Sequence, residues 1–164
     1  MAIQDAPYIK IDIQSQRLSI WDRQDVLFQG AISTGKNGVG ELQNTGCTPR
    51  GWLKIKAKIG ANSPENTVFV GRRATGEIYS PELDAQYPQR DWILSRILWL
   101  GGLEPYQNRY GSVDTLRRFI YIHGCPDYCP MGVAESHGCI RMRNADVIQL
   151  FDMVEVGMKV HIIE

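Results

Sequence analysis

The sequence carries no excess of charge of either sign and no long hydrophobic run. Its 18 Lys and Arg balance 18 Asp and Glu, so nothing indicates the basic surface that nucleic-acid-binding proteins usually carry. The longest apolar stretch, 92–100, is interrupted by Arg96 and is far shorter than the roughly 20 residues of a membrane helix. We therefore expect neither a nucleic-acid partner nor membrane insertion, and the oligomeric state stays open.

The sequence as written also shows no signature of a secretory leader or of a disulfide framework. Residues 1–7 have no basic start, apolar stretch or small-residue cleavage site, and we therefore expect a cytoplasmic location for the chain as written. Removal of a leader ahead of Met1 would reverse this and place the protein in the periplasm or cell envelope. The four cysteines are expected to be free thiols, because disulfide frameworks belong mainly to short secreted chains.

What is present indicates one mostly β domain over residues 1–164. The hydrophobic content is 43% and the charged content 22%, both close to globular averages. Alternation of apolar and polar residues predicts strands at 9–13, 17–21, 26–33, 52–59 and 159–162, with weaker signals at 67–71 and 92–100.

One helix near the C-terminus is better marked than any other. Asn144 is expected to be its N-cap, and Gly157 is expected to end it. Apolar residues recur on one helical face, at Val147, Leu150, Phe151 and Val154. The chain should therefore contain one or two helices beside its strands.

The most informative segment is the run Ser-His-Gly-Cys-Ile-Arg at 136–141. A thiol attacks a carbonyl as the thiolate, so a catalytic cysteine needs a base, and histidine is the usual one. Cys139 and His123 fit these two roles. Gly138 allows close approach of the backbone to a substrate, and amides around Gly138 and Cys139 can form an oxyanion hole.

Strand periodicity adds a geometric argument. If the run Phe-Ile-Tyr-Ile-His is a strand, Phe119, Tyr121 and His123 share one face. By the same rule Cys139 and Arg141 share a face. Arg141 would then be placed to bind a carboxylate of the substrate that Cys139 attacks.

These residues resemble the L,D-transpeptidase catalytic domain family of the YkuD type. The match rests on the His-Gly pair at 123–124 and on the run Ser-His-Gly-Cys-Ile-Arg-Met that follows it. It extends upstream through Ser-Thr-Gly-Lys-Asn at 33–37 and Thr-Pro-Arg-Gly at 48–51, and downstream through 142–146, so that it covers most of the chain.

The resemblance implies a β-sandwich that acts on peptidoglycan stem peptides or soluble muropeptides without a cofactor or metal. Cys139 matches the nucleophile and His123 the general base, while Ser136, His137 and Gly138 match the region of the oxyanion hole. Some relatives have serine after the base histidine. Gly124 has no side chain to orient His123, so a backbone carbonyl would have to do so.

Each candidate also has a simpler interpretation. Cys139 alone would fit a buried structural thiol, and His123 a hydrogen-bonded histidine at a strand end. Arg141 could pair with a carboxylate of the protein itself, and His137 could bond only its own loop. Cys125 and Cys129, together with the two histidines and Cys139, offer a possible zinc site or, by themselves, a redox-active disulfide.

We therefore predict a cysteine acyl-transfer enzyme that opens the L,D bond before the terminal D-Ala of a tetrapeptide stem. An acyl-enzyme on Cys139 would pass to water, as in an L,D-carboxypeptidase of muropeptide recycling, because the cytosol holds no wall to crosslink. Transfer to an amine in the envelope, as in a crosslinking L,D-transpeptidase, is the alternative. A non-catalytic peptidoglycan-binding module and a zinc-binding structural module are alternatives of another class.

Overall fold

The computed structural model describes residues 6–164, and within that range it has ten strands and two helices. The strands, in chain order, are β1 Tyr8–Asp12, β2 Arg17–Asp22, β3 Asp25–Ser33, β4 Gly51–Ile59, β5 Thr67–Val70, β6 Arg73–Ile78, β7 Ile93–Gly102, β8 Tyr121–Gly124, β9 Ile140–Met142 and β10 Lys159–Ile163. The helices are α1 Pro81–Gln86 and α2 Asn144–Met153. The expected mostly β fold with one or two helices is confirmed.

All ten strands belong to one sheet, in the order β4-β10-β1-β2-β3-β9-β8-β7-β5-β6. Strand β4 also pairs with β7, so eight strands close on themselves into a sandwich-like shell. The hairpin of β5 and β6 is attached to the outside of this ring through β7. Strands β8 and β9 lie side by side in the ring and are parallel.

The core follows from the alternation in the sequence. Inward residues of each strand are apolar and buried, as at Ile9 and Ile11 of β1, while Lys10 between them is less buried. Helix α2 contacts β7 and β8 and buries Val147, Leu150 and Phe151. No helix among residues 6–164 is long and apolar enough to cross a membrane.

The prediction that Asn144 caps α2 is wrong. Arg143 occupies the N-cap position, and Asn144 is the first residue of the helix. Its buried side chain accepts a hydrogen bond from Ser95 Oγ at 2.8 Å and donates to the Cys125 carbonyl at 3.0 Å. The helix also ends before Gly157, because α2 stops at Met153. A tertiary role thus replaces the capping role that asparagine usually has.

Of the run that was considered as a strand from Phe119 to His123, only the part from Tyr121 onward is one. Strand β8 begins at Tyr121, and Phe119 lies in a turn with φ of 56°. This left-handed conformation is uncommon for a bulky residue. It turns the Phe119 carbonyl toward Cys139, whose thiol lies 3.3 Å away.

Candidate active site

Parallel strands β8 and β9 bring the two principal candidates onto one face of the sheet. Their register pairs His123 with Arg141, and Ile122 with Ile140. Cys139 directly precedes β9 and lies beside Tyr121, whose backbone N–H points at the Cys139 Sγ at 3.3 Å. Because side chains alternate along a strand, Cys139 and His123 project from the same face of neighbouring strands.

His123 is buried, with 2% of its surface exposed. Its Nδ1 lies 2.7 Å from the carbonyl oxygen of Gly124, and a carbonyl can only accept, so Nδ1 carries the proton. Nε2 is then the basic nitrogen. Burial lowers the pKa of His123 below its ordinary value, although the Gly124 carbonyl and the charge of Asp91 oppose the shift. The expectation that a backbone carbonyl orients this histidine is confirmed.

The Cys139 thiol is neutral in this environment. Burial raises its pKa to about 11, with the Tyr121 N–H acting in the opposite direction. The thiol donates to the Phe119 carbonyl at 3.3 Å. At neutral pH the site therefore holds a thiol and a neutral imidazole, and a base must remove the proton before or during attack.

The nucleophile loop is shaped by Gly138 and Ser136. Gly138 has φ of 121°, and a Cβ there would lie 3.2 Å from the carbonyl oxygen of Cys47. Both the backbone conformation and this close contact therefore disfavour a side chain at position 138. The Ser136 hydroxyl accepts the Gly138 N–H at 3.1 Å and donates to the Cys139 carbonyl at 2.6 Å. The Gly138 amide thus has a partner inside the protein, and it can serve an oxyanion only if Ser136 releases it.

Thr48 fixes this loop from the opposite side. Its buried hydroxyl donates to the Gly138 carbonyl at 2.9 Å and accepts the Gly35 N–H at 2.8 Å. Backbone hydrogen bonds between Ser136 and both Thr34 and Lys36 complete the junction. The two segments that carry the upstream part of the motif therefore hold the segment that carries Cys139.

Arg118 holds the loop that begins after Lys36. Its guanidinium is half-buried and donates to three loop carbonyls, those of Gly40 and Glu41 at 3.1 Å each and that of Cys47 at 2.5 Å. Burial lowers the pKa of Arg118. The carbonyl of Cys47 is the same one that lies against Gly138.

Arg141 and His137 share one carboxylate. Asp91 accepts from Arg141 Nη2 at 3.2 Å and lies 3.1 Å from His137 Nδ1. Burial would raise the pKa of Asp91, but the His137 hydrogen bond and the charges of His123, Arg141 and His137 together lower it. Arg141 thus has a partner within the protein, and a substrate carboxylate would compete with Asp91 for it. The His137 side chain is otherwise exposed.

Gly124 is required by close packing. A Cβ at this position would overlap Asn144 Oδ1 and would lie 2.7 Å from the Leu94 carbonyl oxygen. The buried side chain of Asn144 therefore fills the space that a serine would need. Asn144 and the glycine together fix the turn whose carbonyl orients His123.

Cys125 and Cys129 lie in the turn that follows Gly124. All four cysteines are free thiols. The neighbouring Cys125 thiol, which itself donates to the Met142 carbonyl at 3.4 Å, lowers the pKa of Cys129 to about 7, with Arg141 and Arg143 contributing, while the Cys129 thiol and burial raise the pKa of Cys125. No group of three or more His, Cys, Asp or Glu side chains within 6–164 is arranged to hold a metal ion.

Sequence reasoning missed three residues of this site. Thr48 stands in the quoted Thr-Pro motif, so a role could have been sought there. Asp91 and Arg118 lie in segments without a motif, and only the folded chain brings them to the site. Asp91 directly precedes the apolar run of β7, which was the one available signal.

Comparison with known proteins agrees with this geometry. The family model described as YkuD, L,D-transpeptidase catalytic domain, matches residues 6–162. The probable L,D-transpeptidase YbiS of Escherichia coli K12 is 31% identical over 110 residues, which are 65% of this chain and 35% of YbiS. The chain thus spans about a third of the length of this curated relative.

Solved structures show the same fold. An L,D-transpeptidase from Mycobacterium smegmatis matches with a TM-score of 0.55 and 20% identity, over 96% of this chain and 58% of the other. The L,D-transpeptidase LdtMt1 in complex with imipenem matches with a TM-score of 0.57 and 18% identity, over 96% and 59% of the two chains.

Proposed function

Because this chain belongs to the L,D-transpeptidase catalytic domain family, we propose that it is a cysteine acyltransferase acting on peptidoglycan stem peptides. The observation that carries the proposal is the pairing of β8 with β9, which sets Cys139 and His123 on one face. The carbonyl of Gly124 leaves His123 Nε2 as the basic nitrogen. Family membership supplies the substrate class.

In the first half-reaction His123 Nε2 takes the proton of the Cys139 thiol as Sγ attacks the scissile carbonyl. The tetrahedral intermediate carries its negative charge on oxygen, and the proposed donors to this oxygen are the amide of Cys139 and, if Ser136 releases it, that of Gly138. Collapse of the intermediate breaks the bond to D-Ala. His123 returns its proton to the leaving amine, and a thioester remains on Cys139.

The second half-reaction decides between two activities. Water as the acceptor would release a tripeptide, as in an L,D-carboxypeptidase. An amine as the acceptor would form a crosslink in the envelope. The name of the E. coli relative, a probable L,D-transpeptidase, favours the amine.

Mass spectrometry of products after incubation with a disaccharide tetrapeptide tests both halves. Free D-Ala and a tripeptide as main products would support the carboxypeptidase, and dimers would support the transpeptidase. Added D-amino acids should exchange into the product in either case, because they compete for one acyl-enzyme. Absence of any cleavage by wild-type protein would favour a non-catalytic binding module.

A further inference from the structure

Arg72 lies at the tip of the β5–β6 hairpin and reaches over aromatic residues beside the nucleophile. Gly71 and Arg72 form the two-residue turn, with φ of 56° and 64°, which is the geometry of a tight hairpin. The Arg72 Cζ is 4.7 Å from the centre of the Trp99 ring and 4.9 Å from that of Phe119. Its Nη1 donates to the Tyr121 hydroxyl at 3.0 Å. The turn and the rings therefore hold the guanidinium in place.

Two of these aromatic residues also hold the thiol. Tyr121 donates its backbone N–H to Cys139 Sγ, and Phe119 accepts the thiol proton on its carbonyl. Tyr121 and Trp99 pack in one apolar cluster with Cys139. Tyr121 thus contacts the nucleophile through its backbone N–H and the guanidinium through its hydroxyl.

The other arginines near the thiol are already occupied. Arg118 donates to three loop carbonyls, and Arg141 is paired with Asp91. Arg72 forms no ion pair with any residue of 6–164, and its one side-chain hydrogen bond goes to a neutral phenol. A guanidinium has five N–H donors in a planar fork, and stacking on rings leaves the edge of that fork for a bidentate carboxylate.

We propose that Arg72 binds the terminal carboxylate of the D-Ala that leaves from the scissile bond. This inference rests on the proposed function, because it names how that site recognises its donor peptide. One residue separates the attacked carbonyl from this carboxylate, a reach of about 3.6 Å, and an N–H···O bond adds about 2.8 Å. Tyr121 links the two groups, because its backbone N–H meets Cys139 Sγ and its hydroxyl meets the Arg72 guanidinium.

The test compares two tetrapeptides, one with a free terminal carboxylate and one with a terminal amide. Release of D-Ala or of D-alaninamide is followed for wild type, Arg72→Gln and Arg72→Lys. The exposed neighbour Arg73 supplies the matched control, Arg73→Gln. A second arm titrates both peptides into Cys139→Ala protein with and without Arg72→Gln, which measures affinity without turnover.

Arg72→Gln should lower kcat/KM for the free acid by about 10- to 100-fold, the size of a charge-assisted hydrogen bond, mainly through KM, and should leave the amide unchanged. The kcat/KM of Arg72→Lys for the free acid should lie between those of wild type and Arg72→Gln, because lysine keeps the positive charge and loses the planar fork of donors. Arg73→Gln should behave as wild type. Equal losses on both peptides, or no loss, would overturn the inference.

The binding arm separates this inference from the proposed function. If wild-type protein cleaves neither peptide, the proposed function fails. In that case the carboxylate site is supported only if Arg72→Gln weakens binding of the free acid and not of the amide. It is contradicted if both peptides bind the double variant as tightly as they bind Cys139→Ala.

Discussion

At the scale of single residues, the resting site is a neutral pair and not a thiolate beside an imidazolium. Burial raises the pKa of Cys139 and lowers that of His123. Both shifts favour uncharged forms. The proton must therefore move to His123 during attack, which makes the histidine a general base and gives a distinct pH dependence.

Wild-type kcat/KM should rise through a pKa below the ordinary histidine value of about 6.5 and should then stay level past neutral pH. The reason is that neutral His123 is the active form and that Cys139 titrates only at about 11. A pH-rate profile checks this. Loss of activity just above neutral pH would instead indicate that an imidazolium is required.

His123→Ala should lower kcat/KM at pH 7 by about 10²- to 10⁴-fold, the usual contribution of a general base. The remaining rate should climb with pH toward the pKa of Cys139, because hydroxide then supplies the thiolate. His137→Ala is the matched control, since this side chain is mostly exposed. A larger loss in the control would exchange the roles of the two histidines.

Arg141→Lys should cost roughly 1–3 kcal/mol in transition-state binding, because lysine cannot reproduce the planar contact of the guanidinium. The ion pair with Asp91 leads us to expect equal losses on free and amidated tetrapeptides, as befits a residue that positions its neighbours. Steady-state kinetics on both peptides provide the measurement. A loss confined to the free acid would assign the substrate carboxylate to Arg141, as the sequence predicted.

At the scale of elements, the nucleophile loop depends on segments that are distant in sequence. Thr48 joins the end of the loop after β3 to Gly138, and Arg118 holds the same loop from the turn before β8. Close packing thus extends from the strands into segments without regular structure. This arrangement predicts that a single hydroxyl away from the chemistry affects the site.

Thr48→Val should destabilise the protein by about 1–3 kcal/mol, because it leaves the buried Gly35 N–H and Gly138 carbonyl without their partner. It should also lower kcat/KM, since Gly138 is no longer fixed. Urea unfolding and kinetics measure the two effects. Thr45→Val is the control, because the Thr45 hydroxyl donates to the exposed Leu42 carbonyl and accepts only a longer bond, of 3.3 Å, from the half-buried Cys47 N–H. Similar stability in both variants would count against this account.

The principal residues of the site could be predicted from strand periodicity and from the motif. The residues that hold them in place through contacts distant in sequence could not. Strand β4 and the hairpin of β1 and β2 lie where alternation predicts them, because one face of each is buried. Strand β6 was missed because none of its residues is buried, so the core imposes no pattern on it. Asn144 was misassigned because its side chain is committed to contacts with Ser95 and Cys125, which no local signal reveals.

At the scale of the whole molecule, eight strands form the closed sheet that carries Cys139 and His123, and the attached β5–β6 hairpin lies beside it. Strands β7, β8 and β9 are neighbours in the ring, so Trp99, Tyr121 and Cys139 lie on adjoining strands or directly beside them. The β5–β6 hairpin extends from β7 and brings Arg72 over them. Pairing between segments far apart in sequence creates this arrangement, which explains why Arg72 could not be predicted.

The central claim is that Cys139 forms a covalent acyl-enzyme, and intact-protein mass spectrometry tests it most directly. Wild-type protein mixed with a tetrapeptide donor, or with a carbapenem as an acylating probe, should gain one acyl group, which peptide mapping should place on Cys139. Cys139→Ala should fold and gain no mass, while Cys47→Ala should be acylated like wild type. An unmodified wild-type mass after prolonged exposure to both reagents, or acylation of the Cys139→Ala protein, would contradict the account.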